Sequence, residues 1–349
     1  MLATERGPAQ RVKTNWGMER MHVVITGAAG FLGQKLARRL LGGAALTGPG
    51  GLRQEASKLT LFDVAAPAAD IAQDKRVKVV VGDIGDQAQV RAIVAGDVAS
   101  VFHLAAVVSS GAEADFDLGM RVNLDGTRHV LEACRSLANP PHVVFTSSVA
   151  VYGGDMPKVI RDDTPLNPQT SYGAQKAIGE FLVNDMSRKG FIDGRALRLP
   201  TIVVRPGKPN KAASTWASSI IREPLQGDAV ECPVDPTTEM YVLSPRRMVE
   251  SFLHAHELPA EKLGFNRALF LPGLTVTVGQ MLDGLKRAGG QAAVDRVKFV
   301  PDANIRRIVA GWPMRFDASR ALGLGFKHDE NFDQIVEGFV QDDLRRNAA

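Results

Sequence analysis

Residues 21–41, MHVVITGAAGFLGQKLARRLL, constrain this chain more than any other stretch. An apolar run of Val23, Val24 and Ile25 reaches Thr26, meets Gly27, Gly30 and Gly33, and continues with Leu36, Leu40 and Leu41 at helical core spacing. The pattern predicts a strand, a glycine turn and a helix. Gly27 permits a tight turn, Gly30 clears a side chain from the approach of a pyrophosphate, and Gly33 lets the helix lie close on the strand. N–H groups at the helix start, Phe31 and Leu32 among them, would then face the anion at the positive end of the helix dipole. Glycine spacing alone is weak, but a strand before and a helix after supply the context that a dinucleotide site requires.

Farther on, residues 42–57 read as a turn-rich connection and residues 58–62 (KLTLF) as a second strand ending on Asp63. An acid there can accept from the adenosine ribose hydroxyls and repel a 2′-phosphate, which favours NAD over NADP. A third strand, residues 77–81, runs into Gly82 and Asp83, a turn where side chains meet the adenine edge; Asp83 could equally cap a helix over residues 87–94. The fourth strand, 101–104, ends at Leu104. Ala105 and Ala106 would let backbone lie against a cofactor, and Ser109, Ser110 and Gly111 follow at the carboxyl edge, where open parallel sheets bind ligands. His103, inside an apolar run, is read as a packed histidine.

Residues 118–137 form a long helix pattern with Asn123 inside it, residues 142–148 a fifth strand, 172–186 a helix, and 195–199 a sixth strand ending at Pro200. Alternating strands and helices predict an α/β protein, a Rossmann-type doubly wound parallel sheet. After Gly207 the rhythm breaks into short strands (240–243, 268–271, 297–300) among helices. The expected organisation is a flexible extension over 1–20, an NAD-binding domain over 21–206, and a smaller α/β substrate-binding region over 207–349 with some segments returning to the first.

Composition excludes several classes. Of 349 residues, 45% are hydrophobic and 23% charged, an ordinary balance for a soluble globular chain. The net charge of +4 comes from scattered Lys and Arg without an aromatic-interleaved basic run, so no nucleic-acid partner is expected. No apolar run is long enough to cross a bilayer, and residues 1–20 lack the apolar stretch of a secretory signal. Two cysteines, Cys134 and Cys232, lie outside any metal spacing. They read as reduced thiols of a cytoplasmic protein without a metal site.

Ser148, Tyr172 and Lys176 carry the chemistry. A phenol titrates too high to act as a general base at neutral pH unless a cation favours the phenolate, and Lys176 shares a helical face with Tyr172. Ser148, at the ligand end of the fifth strand, can hold a substrate oxygen whose proton Tyr172 removes.

In order and spacing, TGAAGFLG, GDIGD, HLAA, NLDGT, TSSVAVYG and YGAQK resemble the extended short-chain dehydrogenase/reductase superfamily, which includes NAD-dependent epimerases and dehydratases. The resemblance covers the chain after Met21. It implies Tyr172 as acid/base, Lys176 bonding the nicotinamide ribose and lowering the Tyr172 pKa, and Ser148 as substrate anchor. It also implies that Ile84, Asn123 and Pro200 join the cofactor's lining, and that helices 118–137 and 172–186 build a homodimer. Residues 198–227 lack the Asn that approaches the diphosphate of a nucleotide sugar. That stretch looks like a branch that oxidises the C2 hydroxyl of a D-erythronate-like four-carbon sugar acid with NAD. A carboxylate needs a cation or an N–H cluster, for which Arg205, Lys208, Arg222, Ser109 and Ser110 are candidates. The rivals are a nucleotide-sugar epimerase or dehydratase that recycles bound NAD, and an NAD sensor without turnover, which the complete Tyr and Lys pair disfavours.

Overall fold

The computed structural model describes residues 21–207 and 212–344. The expected extension over 1–20 and Lys208 lie outside the described residues. Seven parallel strands form the central sheet: β1 (His22–Thr26), β2 (Lys58–Asp63), β3 (Val77–Val81), β4 (Val98–His103), β5 (His142–Ser148), β6 (Asp193–Leu199) and β7 (Ala268–Phe270). Their spatial order is β7-β6-β5-β4-β1-β2-β3, so the chain reverses its travel across the sheet between β1 and β4. Loops leaving those two strands diverge and open a crevice at the carboxyl edge, the place where such sheets take ligands.

The strands are apolar on both faces because helices cover both. On β1, Val23 and Ile25 join Leu59 and Leu61 of β2 and Leu36 and Leu40 of α1 (Phe31–Leu41) in one core. Val24 turns to the other face, with Phe62, Val143 and Phe145, and is covered there by Val130 and Leu131 of α2 (Gly126–Arg135) and Val183 of α3 (Ser171–Arg188). The helix expected over residues 118–137 is a run in three parts, with a π-helical turn at Met120–Asp125 between a short helix at Phe116–Gly119 and α2. Residues 42–57, expected as connection only, hold a small antiparallel hairpin of Ala45–Thr47 and Arg53–Glu55. Strands of three residues are too short to declare a period.

A second core gathers Val203, just after the strand Thr201–Ile202, with Ile220 of α4 (Trp216–Gln226), Leu285 of α6 (Val278–Val294) and Ile335 of α7 (Phe332–Phe339), while α5 (Pro245–Glu257) is set apart from it. A three-stranded sheet of Thr201–Ile202, Glu239–Leu243 and Leu274–Thr277 supports it. Two segments of this half serve the first core instead. Helix α5 packs on α1 and β5, and β7 pairs with β6, setting Phe270 opposite Arg198. Among the described residues no helix is long and apolar enough to cross a membrane.

Candidate active site

At the end of β1, Gly27 takes φ +72°, and a Cβ there would stand 2.6 Å from the Ala105 nitrogen and 2.7 Å from the Leu104 carbonyl carbon. The turn and the segment after β4 therefore pack backbone against backbone. Gly33 is equally tight: its Cβ would meet the Gly27 oxygen at 2.3 Å, which seats α1 on the turn. Among the described residues no side chain caps the first turn of α1, so N–H groups there, those of Phe31 and Leu32 included, remain for an anion. Asp63 ends β2 beside them, its Oδ2 accepting from the Ala29 N–H at 2.9 Å. A turn bare of side chains at Gly30, an uncapped helix start and a carboxylate at the end of the second strand fit the pyrophosphate and ribose of NAD.

Several expected contacts are corrected. Asp86, not Asp83, caps the helix at Gln87–Ile93, accepting from the Ala88 and Gln89 N–H groups at 2.8 and 3.2 Å. Asp83 accepts from the Gly85 N–H at 2.8 Å and pairs with Arg121, while Ile84 sinks into the core against Gly126. Asn123 has a structural amide role. Its amide oxygen accepts from the Val107 N–H at 2.8 Å and its NH2 donates to the Val107 oxygen at 3.0 Å and Gln175 Oε1 at 2.8 Å, which clamps the segment after β4 to α3. Ser109 and Ser110, expected as loop groups, open a short helix at Ser109–Ala114, and the Ser110 hydroxyl is buried with no partner among the described residues. His103 is packed as expected, bridging Thr26 Oγ1 at 2.7 Å and Thr127 Oγ1 at 3.0 Å, and burial pulls its pKa down to about 3. Leu104, Ala105 and Ala106 line the edge half-buried, and Pro200 is buried where β6 passes into Thr201–Ile202.

Strand β5 delivers Ser148, and α3 delivers Tyr172 and Lys176. Thr170 caps α3 by accepting from the Gly173 N–H at 3.1 Å, and a Cβ on Gly173 would stand 2.2 Å from the Ala150 oxygen. That approach brings Tyr172 to Ser148. The Ser148 Oγ accepts from the Ala150 N–H at 3.1 Å, and the same hydroxyl favours the ionised form of the Tyr172 phenol. Neighbouring Ser147 is spent elsewhere, donating to Glu180 at 2.5 Å. Lys176 is 1% exposed, its Nζ 4.8 Å from the centre of the Phe145 ring and 5.6 Å from that of Tyr172.

The electrostatics differ from what helix spacing implies. Burial pushes the Tyr172 phenol up to about 12 and the Lys176 ammonium down to about 7. What draws the phenol back in the cofactor-free protein is first the Ser148 hydroxyl and then the charge of Arg205. Lys176 is itself costly to charge in this apolar setting.

Arg205 donates from Nε to the Ile202 oxygen at 2.7 Å and from a terminal nitrogen to Ser214 Oγ at 3.0 Å. Among the described residues no acid forms an ion pair with it. Arg222 is a brace rather than a free cation: 3% exposed, it donates to the Arg205 oxygen at 2.7 Å, Ser219 Oγ at 3.1 Å and Glu223 Oε1 at 2.6 Å. Sequence reasoning missed the group behind α3, in which Glu180 pairs with Arg198 and Arg198 reaches Tyr152. The signal available was Glu180 standing one helical turn beyond Lys176.

The sequence model of the NAD dependent epimerase/dehydratase family matches residues 23–262. Over 322 residues the chain is 54% identical to a Cupriavidus necator protein named D-erythronate dehydrogenase, covering 92% of this chain and 98% of that one. A Haemophilus influenzae protein of the same name is 44% identical over 324 residues, covering 93% and 100%. A solved structure described as a nucleoside-diphosphate-sugar epimerase from Agrobacterium tumefaciens is 40% identical with a TM-score of 0.88, covering 98% of this chain and 99% of its own.

Proposed function

The chain belongs to the NAD dependent epimerase/dehydratase family, and from that premise we propose that this NAD-dependent oxidoreductase oxidises the C2 hydroxyl of a small sugar acid, D-erythronate or a near analogue, to the 2-keto acid. The observation that carries the substrate class is Arg205, a guanidinium without an acidic partner among the described residues whose charge acts on Tyr172. A cation on the side of the proton acceptor suits a carboxylate next to the carbon being oxidised.

NAD, when bound, supplies a cationic ring that accepts the hydride. Ser148 holds the C2 oxygen, and Tyr172 takes its proton as the C2–H bond breaks and the C2–O bond becomes a carbonyl. Arg205 holds the carboxylate, which leaves one orientation for C2. Lys176, one turn along α3, would hold the nicotinamide ribose. What supports these roles is that the Ser148 hydroxyl and the Arg205 charge both favour the ionised Tyr172 phenol.

The test is incubation of the protein with NAD and a panel of four-carbon hydroxy acids, read by the absorbance of reduced cofactor. Net reduction with a tetronic acid is expected. Tyr172→Phe should lower kcat by about 10²- to 10⁴-fold, the usual worth of a general base. Arg205→Ala should raise KM for the acid while leaving NAD affinity unchanged. Wild-type rates from Tyr172→Phe reject the mechanism. The similarity to the Agrobacterium protein favours a second reading, in which the cofactor is recycled on a nucleotide sugar. Turnover of such a sugar without net reduced cofactor would establish it.

We also propose a homodimer with the outer face of α3 at its centre, where Ile178 is 42% and Phe181 61% exposed. A second copy would remove that apolar surface from water.

A further inference from the structure

Four buried side chains close on one another behind the Tyr172 helix. Ser147 on β5, Glu180 on α3, Arg198 on β6 and Tyr152 after β5 are each no more than 4% exposed. Glu180 Oε1 accepts from Ser147 Oγ at 2.5 Å and from Arg198 Nε at 2.9 Å, and Oε2 accepts from a terminal Arg198 nitrogen at 2.7 Å. The other terminal nitrogen of Arg198 donates to the Tyr152 hydroxyl at 2.5 Å. Fork and carboxylate fix each other, so Glu180 cannot swing.

Glu180 shares a face of α3 with Lys176, one turn away. Around the Lys176 ammonium stand Tyr172 and Glu180 on its own helix, the Phe145 ring on β5, and His103 on β4, which burial keeps neutral. Arg198 on β6 is bound to Glu180, and the charge of Arg205 acts on Tyr172. Glu180 is the carboxylate whose charge favours the Lys176 ammonium.

We propose that Glu180 is a positioning residue of the reaction: anchored by Ser147 and Arg198, its carboxylate keeps Lys176 charged inside an apolar site and steadies β5 at Ser148. The inference rests on Tyr172 being the proton acceptor. A buried ammonium that loses its counter-charge releases its proton. Burial already brings Lys176 down to about 7, so a change at Glu180 alters its charged fraction in the working range. With less positive charge one turn from the phenol, Tyr172 ionises at higher pH.

The experiment compares wild type, Glu180→Asp, Glu180→Gln and the double variant Glu180→Gln/Arg198→Gln. Two quantities are followed in the full-length protein: kcat/KM for oxidation against pH, and the titration of Lys176 by NMR of 13C-labelled lysine, its resonance assigned by its loss in Lys176→Ala. Glu180→Gln is expected to lower the Lys176 midpoint by about 1 pH unit and to raise the rising limb of the rate profile by a comparable amount. Glu180→Asp keeps the charge and is expected to keep both near wild type. The double variant leaves no unpaired Arg198, so it carries the test should Glu180→Gln not fold; shifts in the same direction but smaller are expected of it, because a cation leaves with the carboxylate. A Lys176 midpoint that stays put in Glu180→Gln or the double variant, while Tm falls, overturns the proposal and leaves a structural ion pair. Failure of the Tyr172 assignment is distinguishable, because full activity in Tyr172→Phe leaves the NMR midpoint to judge Glu180 by itself.

Discussion

Replacing Gly27 by Ala strikes the backbone contact on which the cofactor site is built, and two costs add. At φ +72° the residue is left-handed, a conformation that costs a side chain about 1–2 kcal/mol. The new Cβ would also stand 2.6 Å from the Ala105 nitrogen and 2.9 Å from its Cα, main-chain atoms that cannot rotate aside. Overpacking of that kind costs about 1–3 kcal/mol, for a total of about 2–5 kcal/mol. Gly96→Ala is the control. Its φ is +68° with nothing within 4 Å of the added Cβ, so it carries the conformational cost alone. Urea unfolding of the two variants beside wild type should therefore separate them by about 1–3 kcal/mol. NAD titration should separate them further. Pushing out Leu104 and Ala105 should weaken binding about 10-fold or more in Gly27→Ala, the equivalent of about 1.4 kcal/mol, and leave Gly96→Ala unchanged. Equal destabilisation of the two, or wild-type affinity in Gly27→Ala, would refute the reasoning.

Asp63→Ala removes the carboxylate beside the Ala29 N–H and should lower the preference for NAD over NADP about 10-fold or more, as the loss of a charged hydrogen-bond partner does; an unchanged ratio of kcat/KM values puts the discriminator elsewhere. Burial holds His103 down to about 3 and His142 to about 4, from an ordinary 6.5. The unfolded chain takes up those protons first, so stability should be full above pH 6.5 and fall toward pH 4, by up to about 1.4 kcal/mol per pH unit for each ring. A flat urea midpoint across that window would contradict the buried neutral rings. Phe181→Glu should turn a dimer into monomer in sedimentation without loss of helix content, and an unchanged species would place the interface elsewhere.

The sheet was legible where an apolar run ended in turn residues, as at Thr26–Gly27, Phe62–Asp63 and Val81–Gly82, because a parallel strand covered on both faces leaves that mark. The Ser148, Tyr172 and Lys176 set was legible because one helix face holds two of them. Its electrostatics were not, since the balance of burial against charge depends on what lies across the crevice, here Arg205. Asp83 and Asp86 offer the same side chain to nearby N–H groups, and only the backbone path decides which one caps the helix. Arg222 reads as a free cation until α4 folds back and its guanidinium meets the Arg205 carbonyl. The strand at β7 escaped assignment to the main sheet for another reason: three apolar residues carry no period, and their partner on β6 is distant in sequence.

That late strand governs how the protein is made. Until the ribosome has released Ala268–Phe270, β6 is the outermost strand of a nascent nucleotide fold, its flank of amide and carbonyl groups open to any other extended chain. Translation of the whole intervening stretch separates the six-stranded sheet from the seven-stranded one, whose edge is then the three residues of β7, and helix α5 reaches α1 within the same interval. A fragment cut after Pro206 would keep the glycine turn and Tyr172 and still carry that open flank, an invitation to aggregate.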